Sequence, residues 1–472
     1  MVKNSIIFLL IFLSTSLFSQ SLVLSELEKI NLSQNADYRP RICLVDGDPI
    51  VLFSEISTEN KIFVNRKKDG VWLGEQQINP DGIDFQVGGL MGPSIASRGQ
   101  TVYVAYIVET IPRKIAIHKS IDGGINFSST ITAYDLNEDH ALGIDMLLLP
   151  DGNPVIAFIY YDSTWQNANQ VLIRSYDHGN SFTNLIFIDD HPCECCKPSL
   201  IQGDGSYYGV SFRDNESNIR VFKTRISPVS DADFSPIILT DPTGWESIAC
   251  PASPSDGFLI GDTLLNVWMS SPDDISKVYF SKTQILGNNI FDWFEVDFSD
   301  SYGSQNHPRM DGNSQIQLVV WEEFRETKKD IFGKIIQNGQ SQPSFSLTQG
   351  DSLSHMESVD VVFDSQSNVF HMVYRNKNQS SVMYRTIEPD FLNLNSPSKS
   401  DFFVYPNPSQ NMLFISENYR QSYEYSIYNS LGILFKTGKM IDAVSIQNLP
   451  KGMYIIELFN SSQKTQLSFL KN

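Results

Sequence analysis

The sequence is poor in basic residues, in cysteine and in long apolar segments. It has 35 Lys and Arg against 54 Asp and Glu, a formal net charge of -19, and only 5 Cys in 472 residues. The deficit of positive charge removes the basic footprint that nucleic acids and anionic membranes require, so we expect neither as a partner. Beyond the N-terminus no apolar run is long enough for a transmembrane helix, and we expect none in the mature chain.

The N-terminal segment has the layout of a cleavable signal peptide. Lys3 precedes an apolar run from Ile6 to Leu13, and small hydroxyl residues follow it as far as Gln20. The run is too short to serve as a stable bilayer anchor, and no cysteine follows it for lipid attachment. We therefore predict a signal peptide over residues 1–20.

An aromatic residue ends a short β-rich run every 52 to 56 residues. The recurring positions are Phe53, Tyr106, Phe158, Phe212, Trp268, Trp321 and Tyr374. So regular a period indicates a repeat architecture, and the strand and turn composition of each unit predicts four antiparallel strands, as in a β-propeller blade. The sequence thus predicts an all-β fold with a seven-bladed β-propeller over residues 21–393. The segment LVLSELEKINL (22–32) has no unit of its own, and we expect it to supply the outer strand of the last blade.

Two units share the turn pattern S-x-D-x-G-x-x-F. Its members are Ser120, Asp122, Gly124 and Phe127 in one unit and Ser175, Asp177, Gly179 and Phe182 in the other. The pattern resembles the Asp box, or BNR repeat, of sialidases and related propellers. That resemblance implies hairpins stapled by an aspartate on the face away from a sialidase active site, and it leaves a six-bladed sialidase propeller as the alternative to seven blades. The segments HPCECCKPSL, SFRDNESNIRVFKT and GWESIACPASPS also resemble a group of bacterial sialidase-like proteins.

Four cysteines fall in connectors that enter neighbouring blades. Cys193, Cys195 and Cys196 precede the fourth blade and Cys250 precedes the fifth, so we expect the four sulfurs to cluster. In an exported protein two disulfides are expected, with the pairing left open. The alternative is a zinc or copper site, since His140, His191, His307 and His355 fall in connectors on the same face. No other cofactor is expected, and Cys43 is predicted to be a buried free thiol.

The residues that follow the aromatic strands define a polar mouth on that face. Resemblance to sialidases implies an arginine clamp for a sugar carboxylate, a Tyr–Glu nucleophile pair and an acid/base Asp. The candidate catalytic residues are Tyr161, Asp162 and Glu322, and the candidate ligand-binding residues are Arg213, Arg375 and Arg39. Two hypotheses follow: a non-catalytic propeller that binds a glycan or another extracellular ligand, and a sialidase-type glycoside hydrolase.

The C-terminal segment 401–472 follows a Ser- and Asn-rich linker at 394–400. It runs YPNP from Tyr405 to Pro408, has a turn at Gly432 and places Leu449 before Gly452 and Tyr454, with Lys471 near the end. These features resemble the C-terminal sorting domain of cargo for the Bacteroidetes type IX secretion system. The resemblance implies the secretion machinery as a partner and a secreted or outer-membrane surface location. Alternating apolar and polar residues predict a small immunoglobulin-like β-sandwich.

Overall fold

The computed structural model describes most of the chain. The described ranges are 22–32, 36–89, 91–203, 205–297, 303–325, 327–337, 340–348, 355–389, 404–405, 409–415, 423–429, 433–440, 443–459 and 464–471. The chain forms two compact units, divided after Pro389. The predicted signal peptide (1–20), the predicted linker (394–400), and Pro406, Asn407, Pro408 and Gly432 lie outside the described residues.

The first unit consists of short antiparallel strands. In chain order they begin with β1 (Leu22–Leu24), β2 (Glu28–Lys29), β3 (Ala36–Val45), β4 (Asp48–Glu55), β5 (Lys61–Lys68), β6 (Val71–Gln77), β7 (Ser94–Arg98), β8 (Thr101–Val108), β9 (Arg113–Ser120), β10 (Ile131–Asn137), β11 (His140–Leu148), β12 (Pro154–Tyr161), β13 (Ala168–Arg174), β14 (Ile186–Asp189), β15 (Ser199–Gln202) and β16 (Tyr207–Arg213). They continue with β17 (Phe222–Pro228), β18 (Ile238–Leu239), β19 (Asp256–Ile260), β20 (Thr263–Ser270), β21 (Lys277–Gln284), β22 (Asn289–Glu295), β23 (Ser304–Gly312), β24 (Ile316–Arg325), β25 (Lys328–Gln337), β26 (Gln340–Ser341), β27 (Phe345–Ser346), β28 (Met356–Asp364), β29 (Val369–Asn376) and β30 (Ser381–Pro389). Two short 3-10 helices are Glu216–Asn218 and Lys377–Gln379.

Within the described residues of the first unit, these strands pair into seven sheets. The first four sheets are β3–β6, β7–β10, β11–β14 and β15–β18, and the fifth, β19–β22, is joined to the fourth through one parallel bridge between Gln202 and Phe258. The sixth sheet is β23–β27, and the seventh is β28–β30 with β1 and β2. The first strand of each sheet lies beside the first strand of the next, and β28 lies beside β3. The sheets therefore close into a ring, which confirms the all-β propeller architecture.

The N-terminal segment closes the last sheet. Strand β1 pairs antiparallel with β30, with Val23 opposite Glu388, and β2 pairs with the same strand, with Glu28 opposite Tyr384. Asn31 adds side-chain hydrogen bonds to the backbone of Ser380 and Val382. The outer strand of the seventh sheet thus comes from the opposite end of the unit, as predicted, and it covers an edge that would otherwise be open.

Side chains also satisfy backbone amides along the inner strands. Four aspartates each accept an N–H from the inner strand of the following sheet. The bonds are Leu200 N to Asp145 (2.9 Å), Met310 N to Asp256 (3.0 Å), Phe363 N to Asp311 (2.7 Å) and Ile42 N to Asp360 (3.1 Å). The inner strands surround a cavity of about 660 Å³. The four carboxylates that line this cavity thus form hydrogen bonds between neighbouring sheets and stabilise the ring.

The described residues of the second unit form two antiparallel sheets. Its strands are β31 (Val404–Tyr405), β32 (Met412–Ile415), β33 (Tyr423–Asn429), β34 (Leu434–Met440), β35 (Ala443–Ser445), β36 (Gly452–Phe459) and β37 (Lys464–Lys471). One sheet has the order β31-β32-β35 and the other β34-β33-β36-β37. Leu413 and Val444 of the first sheet share a buried core with Ile427, Ile456 and Phe469 of the second. Two sheets on one apolar core are the arrangement that the alternating sequence predicts.

No described helix has the length and apolar character needed to cross a membrane.

Candidate functional sites on the connector face

The ring has two unlike faces. Inner strands begin where second strands end, as the pairs His140–Tyr161 and Met356–Asn376 show. We call this end, which carries the loops between sheets, the connector face. The third strand of each sheet ends at the opposite side, where Ser120 pairs with Val102. The two S-x-D-x-G-x-x-F turns, residues 120–127 and 175–182, lie on that side and are called the Asp-box turns.

In each Asp-box turn the aspartate carboxylate accepts its hydrogen bonds from residues of the same turn. The Ser120 hydroxyl donates to Asp122 (2.7 Å) and accepts the N–H of Gly124 (2.8 Å). The backbone N–H of Asn126 and the Ser120 hydroxyl lower the pKa of Asp122 to about 2. The second turn is built in the same way, with Ser175 bonded to Asp177 (2.9 Å) and to the N–H of Gly179 (2.8 Å). Such saturated carboxylates hold hairpins and leave no free group for a ligand.

The aromatic and glycine positions of these turns pack against neighbouring strands. Phe127 and Phe182 are partly buried against the two adjoining apolar cores. Gly179 has φ of +82°, and a Cβ built there would come within 2.8 Å of the Tyr103 ring. Only glycine meets both conditions without strain.

Glu322 is the centre of an ion network on the connector face. Its carboxylate lies 3.0 Å from His307 Nδ1 and 2.9 Å from Lys329 Nζ, and it accepts the N–H of Ser358 at 2.7 Å. Burial by itself would raise the pKa of Glu322, but His307 and Lys329 outweigh burial and lower it to about 2. Lys329 continues to Glu357 at 3.4 Å. This carboxylate therefore joins the sixth and seventh sheets.

The three predicted ligand-binding arginines are engaged within the protein. Arg213 is fully buried and donates to the carbonyls of Arg220 (2.8 Å) and Met269 (2.6 Å). We expected its side chain to face the mouth, and it does not. Arg375 is buried and lies 2.5 Å from Glu357. Arg39 is buried and donates to the Gly89 carbonyl at 2.5 Å. The arginine clamp that the sialidase resemblance implies is not formed by these residues.

The predicted catalytic residues are not brought together. Tyr161 is buried and donates to the Glu194 carbonyl (2.9 Å), and burial raises its pKa. Asp162 accepts from the Thr164 hydroxyl (2.6 Å) and from Asn167, which lower its pKa to about 2. Tyr161 and Asp162 belong to the third sheet and Glu322 to the sixth.

The space beside Glu322 is also too small for a sugar. The cavity that Arg39, His307 and Glu322 line has a volume of about 20 Å³, room for a single water-sized molecule. The nucleophile and acid pattern expected from the resemblance thus has neither a shared site nor a substrate pocket there.

Sequence reasoning missed an aromatic platform on the same face. Trp165 is 49% exposed, and its ring stacks on His140 with centroids 3.7 Å apart and lies 5.1 Å from the Tyr161 ring. The Asp162 carboxylate caps the loop that carries it by accepting the N–H of Thr164 at 3.0 Å. The signal in the sequence was a tryptophan in the polar segment DSTWQN directly after a buried strand.

The four cysteine sulfurs do converge. One potential ligand atom from each of Cys193, Cys195, Cys196 and Cys250 lies within 4.8 Å of the others. Cys195 and Cys250 are at disulfide-bonding distance, and Cys193 and Cys196 are buried thiols. A hydrogen bond from Cys196 lowers the pKa of Cys193 to about 7, with Arg213 contributing, whereas burial raises the pKa of Cys196. Cys43 is buried as well, and burial raises its pKa to about 12.

The four histidines proposed as further ligands have other partners. His140 stacks on Trp165, His191 lies 2.8 Å from Asp190, His307 lies beside Glu322 and His355 stacks near Phe324. None belongs to the described sulfur group.

Comparison with known protein families identifies the second unit. Residues 403–472 match the family described as "Secretion system C-terminal sorting domain". The second unit is a type IX secretion sorting domain. The sorting domain marks the chain as a secreted or outer-membrane surface protein, as the sequence predicted. It covers only the C-terminal part and says nothing of the propeller's ligand.

No curated protein matches the chain. Ahead of the sorting domain, the propeller is similar to several solved structures, of which three illustrate the range. The polysaccharide lyase Uly1 is 8% identical with a TM-score of 0.47, covering 78% of this chain and 99% of the lyase. The β-propeller domain of the Trilobed protease from Pyrococcus furiosus is 9% identical with a TM-score of 0.45, covering 74% and 95%. Trypanosoma rangeli sialidase is 9% identical with a TM-score of 0.42, covering 92% and 85%. None of these likenesses bears on activity.

Proposed function

We propose that this exported propeller binds an uncharged glycan on its connector face, with Trp165 as the stacking surface. The observation that carries the proposal is the exposed Trp165 ring, supported from below by His140 and fixed by the Asp162 turn. A flat, rigid aromatic surface suits the apolar face of a sugar ring, and sugar hydroxyls need polar partners at its margin. The exposed Gln166, which follows Trp165 in the chain, and the exposed Glu194, whose carbonyl accepts from Tyr161, can supply such groups.

Local charge supports an uncharged sugar over a sialic acid. Asp162 and Glu194 lie on loops beside the platform, and both are acidic. The charges that act on His140, the ring under Trp165, are those of Asp139 and of Arg113, which donates a hydrogen bond to the Glu138 carbonyl. Arg213, Arg375 and Arg39, which would have paired with a sugar carboxylate, are buried and engaged within the protein. A carboxylate placed on the platform would be repelled by Asp162, Glu194 and Asp139, and Arg113 offsets only part of that negative charge.

A glycan array tests this function. The purified wild-type propeller should retain a set of neutral glycans, and Trp165→Ala should lose most of that signal. Trp293→Ala is the matched control, since Trp293 is 48% exposed on the outer strand of the fifth sheet. Equal binding by wild type and Trp165→Ala, or flat binding of wild type across the array, would contradict the proposal.

An activity assay separates binding from hydrolysis. Because Tyr161, Asp162 and Glu322 are not assembled, a fluorogenic sialoside incubated with the wild-type protein should release no fluorophore above the buffer rate. Turnover that Glu322→Gln abolishes would favour the hydrolase instead.

A further inference from the structure

The cysteine cluster joins two connectors that are far apart in the sequence. Cys193, Cys195 and Cys196 lie on one short turn, in which the Cys196 N–H donates to the Cys193 carbonyl at 3.0 Å. Cys250 lies 55 residues after Cys195. The turn leads into the fourth sheet and Cys250 precedes the fifth, so a bond through these sulfurs ties neighbouring sheets together.

The sulfur spacing fits a tetrahedral metal site. Zinc bound by four thiolates at about 2.3 Å requires sulfur–sulfur edges of about 3.8 Å. The Cys193–Cys195 edge is 3.9 Å, and no sulfur–sulfur distance in the group exceeds 4.8 Å. The Cys195 and Cys250 sulfurs lie at bonding distance and would have to separate to bind a metal. The Cα atoms of Cys195 and Cys250 are 6.5 Å apart, near the wide end of the range for a disulfide. Side-chain rotation can therefore separate these two sulfurs without moving the backbone.

Two buried cations next to the cluster lack an anion. Arg213 is fully buried and Arg220 is 4% exposed, and the positive charge of both acts on Cys193. Their bonded N–H groups donate to backbone carbonyls, whereas Arg213 Nε and Arg220 Nη1 have no acceptor. Among the described residues neither guanidinium forms an ion pair within 4 Å. Asp214 pairs with Lys223 instead, and Asp241 acts on Arg213 only from a longer distance.

The charge balance distinguishes the two chemistries available to the cluster. Two disulfides are neutral and would leave the two buried guanidinium groups with backbone carbonyls, aromatic rings and the more distant Asp241, but with no ion pair, which is costly. Four thiolates around a divalent ion carry a net charge of about -2, which matches the two arginines.

We propose that Cys193, Cys195, Cys196 and Cys250 bind one Zn²⁺ ion in a four-thiolate site, with Arg213 and Arg220 as its counter-charges. Zn²⁺ and four thiols form the tetrathiolate and release four protons, so no oxidant or reductant takes part. The site is structural, because four protein ligands leave no open position. It pins the connector of the fourth sheet to that of the fifth and is independent of glycan binding.

Elemental analysis with thiol counting tests the site. The full chain, purified without chelator, should contain about one zinc ion per molecule. After denaturation with chelator, all five cysteines should react with a thiol reagent. Absence of zinc, with one reactive thiol for two disulfides or three for one disulfide, would overturn the proposal. Another metal in place of zinc would overturn it too.

Cysteine variants distinguish zinc bound at the four-cysteine site from zinc bound elsewhere on the protein. Cys193→Ser should lose the zinc, whereas Cys43→Ser, which alters the buried cysteine of the first sheet, should keep it. Zinc retained by Cys193→Ser would count against the site. If Cys193→Ser does not fold, wild-type protein refolded with Co²⁺ should show the sulfur-to-cobalt absorption and intense visible bands of a tetrahedral tetrathiolate. A spectrum without them would overturn the proposal.

Discussion

The two faces of the propeller use carboxylates in different ways. On the Asp-box side, Asp122 and Asp177 accept hydrogen bonds from residues no more than four positions away. On the connector face, Glu322 binds His307 and Lys329 of its own sheet and the backbone of Ser358 in the next. A local turn can form within one sheet, whereas the Glu322 network forms only when two sheets are in place.

The Asp162 turn has the local pattern of the Asp-box turns but lies on the connector face. Its carboxylate caps amides two and four residues ahead, whereas Asp122 caps amides three and four residues ahead. The aromatic residue of an Asp-box turn packs inward on a core, but Trp165 faces outward. The same local device thus holds an aromatic ring inward on one face and leaves one exposed on the other.

Removing the charge of Glu322 should have the largest effect on stability. At pH 7 we expect Glu322→Gln to lower the free energy of unfolding by about 3 kcal/mol, at the low end for a buried ion pair because both partners are partly exposed. Chemical denaturation across a pH series measures it. A pH-independent difference between the two proteins would show that the charge is not what stabilises the junction.

The sign of that pH dependence follows from the lowered pKa. The Glu322 carboxylate is held at a pKa of about 2, below its ordinary value of 4.5. Its stabilisation is therefore fully present above pH 4.5 and is lost as the pH falls from there towards 2. The wild-type advantage over Glu322→Gln should shrink across that window.

A substitution in the second Asp-box turn should have an intermediate effect. Gly179→Ala combines a positive φ with a clash against Tyr103, and we expect a loss of about 2 kcal/mol in urea denaturation. Gly70→Ala is the control, because Gly70 has the same φ of +82° in the corresponding hairpin of the first sheet but no atom within 4 Å of a new Cβ. It should cost about 1 kcal/mol. Equal losses would mean that the Tyr103 contact contributes nothing.

The smallest effect should come from paired aspartate substitutions. Asp122→Asn and Asp162→Asn each remove one partly exposed carboxylate whose pKa is lowered to about 2. Both should slightly destabilise the protein at neutral pH, and both differences should fade as the pH falls from about 4 towards 2. Only Asp162→Asn should weaken glycan retention, because it loosens the Trp165 loop. Weakening by Asp122→Asn as well would break the distinction between the two faces.

Periodic features could be predicted from the sequence because they are local. The spacing from Phe53 to Tyr374 indicated repeated sheets, and unpaired apolar residues at 22–24 indicated the closing strand. The convergence of the cysteines followed from topology, since connectors on one face of a ring meet near its axis. Trp165 was overlooked because an isolated tryptophan in a polar loop carries no periodic signal.

The fate of individual polar side chains could not be predicted in the same way. Arg213 follows an aromatic strand, as a mouth residue should, yet its guanidinium lies over the Phe222 ring at 4.2 Å and near Trp245 at 5.4 Å. Those aromatic partners come from a later strand and a later connector. Whether an arginine faces solvent or a neighbouring loop depends on that packing.

By itself the sequence determined the C-terminal sorting signal, the repeated all-β architecture and the closure of the ring, because each is encoded in short segments or in their spacing. Only the tertiary structure decided which charged groups form ion pairs or hydrogen bonds within the protein, which aromatic rings stay exposed and which sulfurs lie close together. Those outcomes depend on contacts between sheets, where burial and hydrogen bonding are settled by residues distant in the chain.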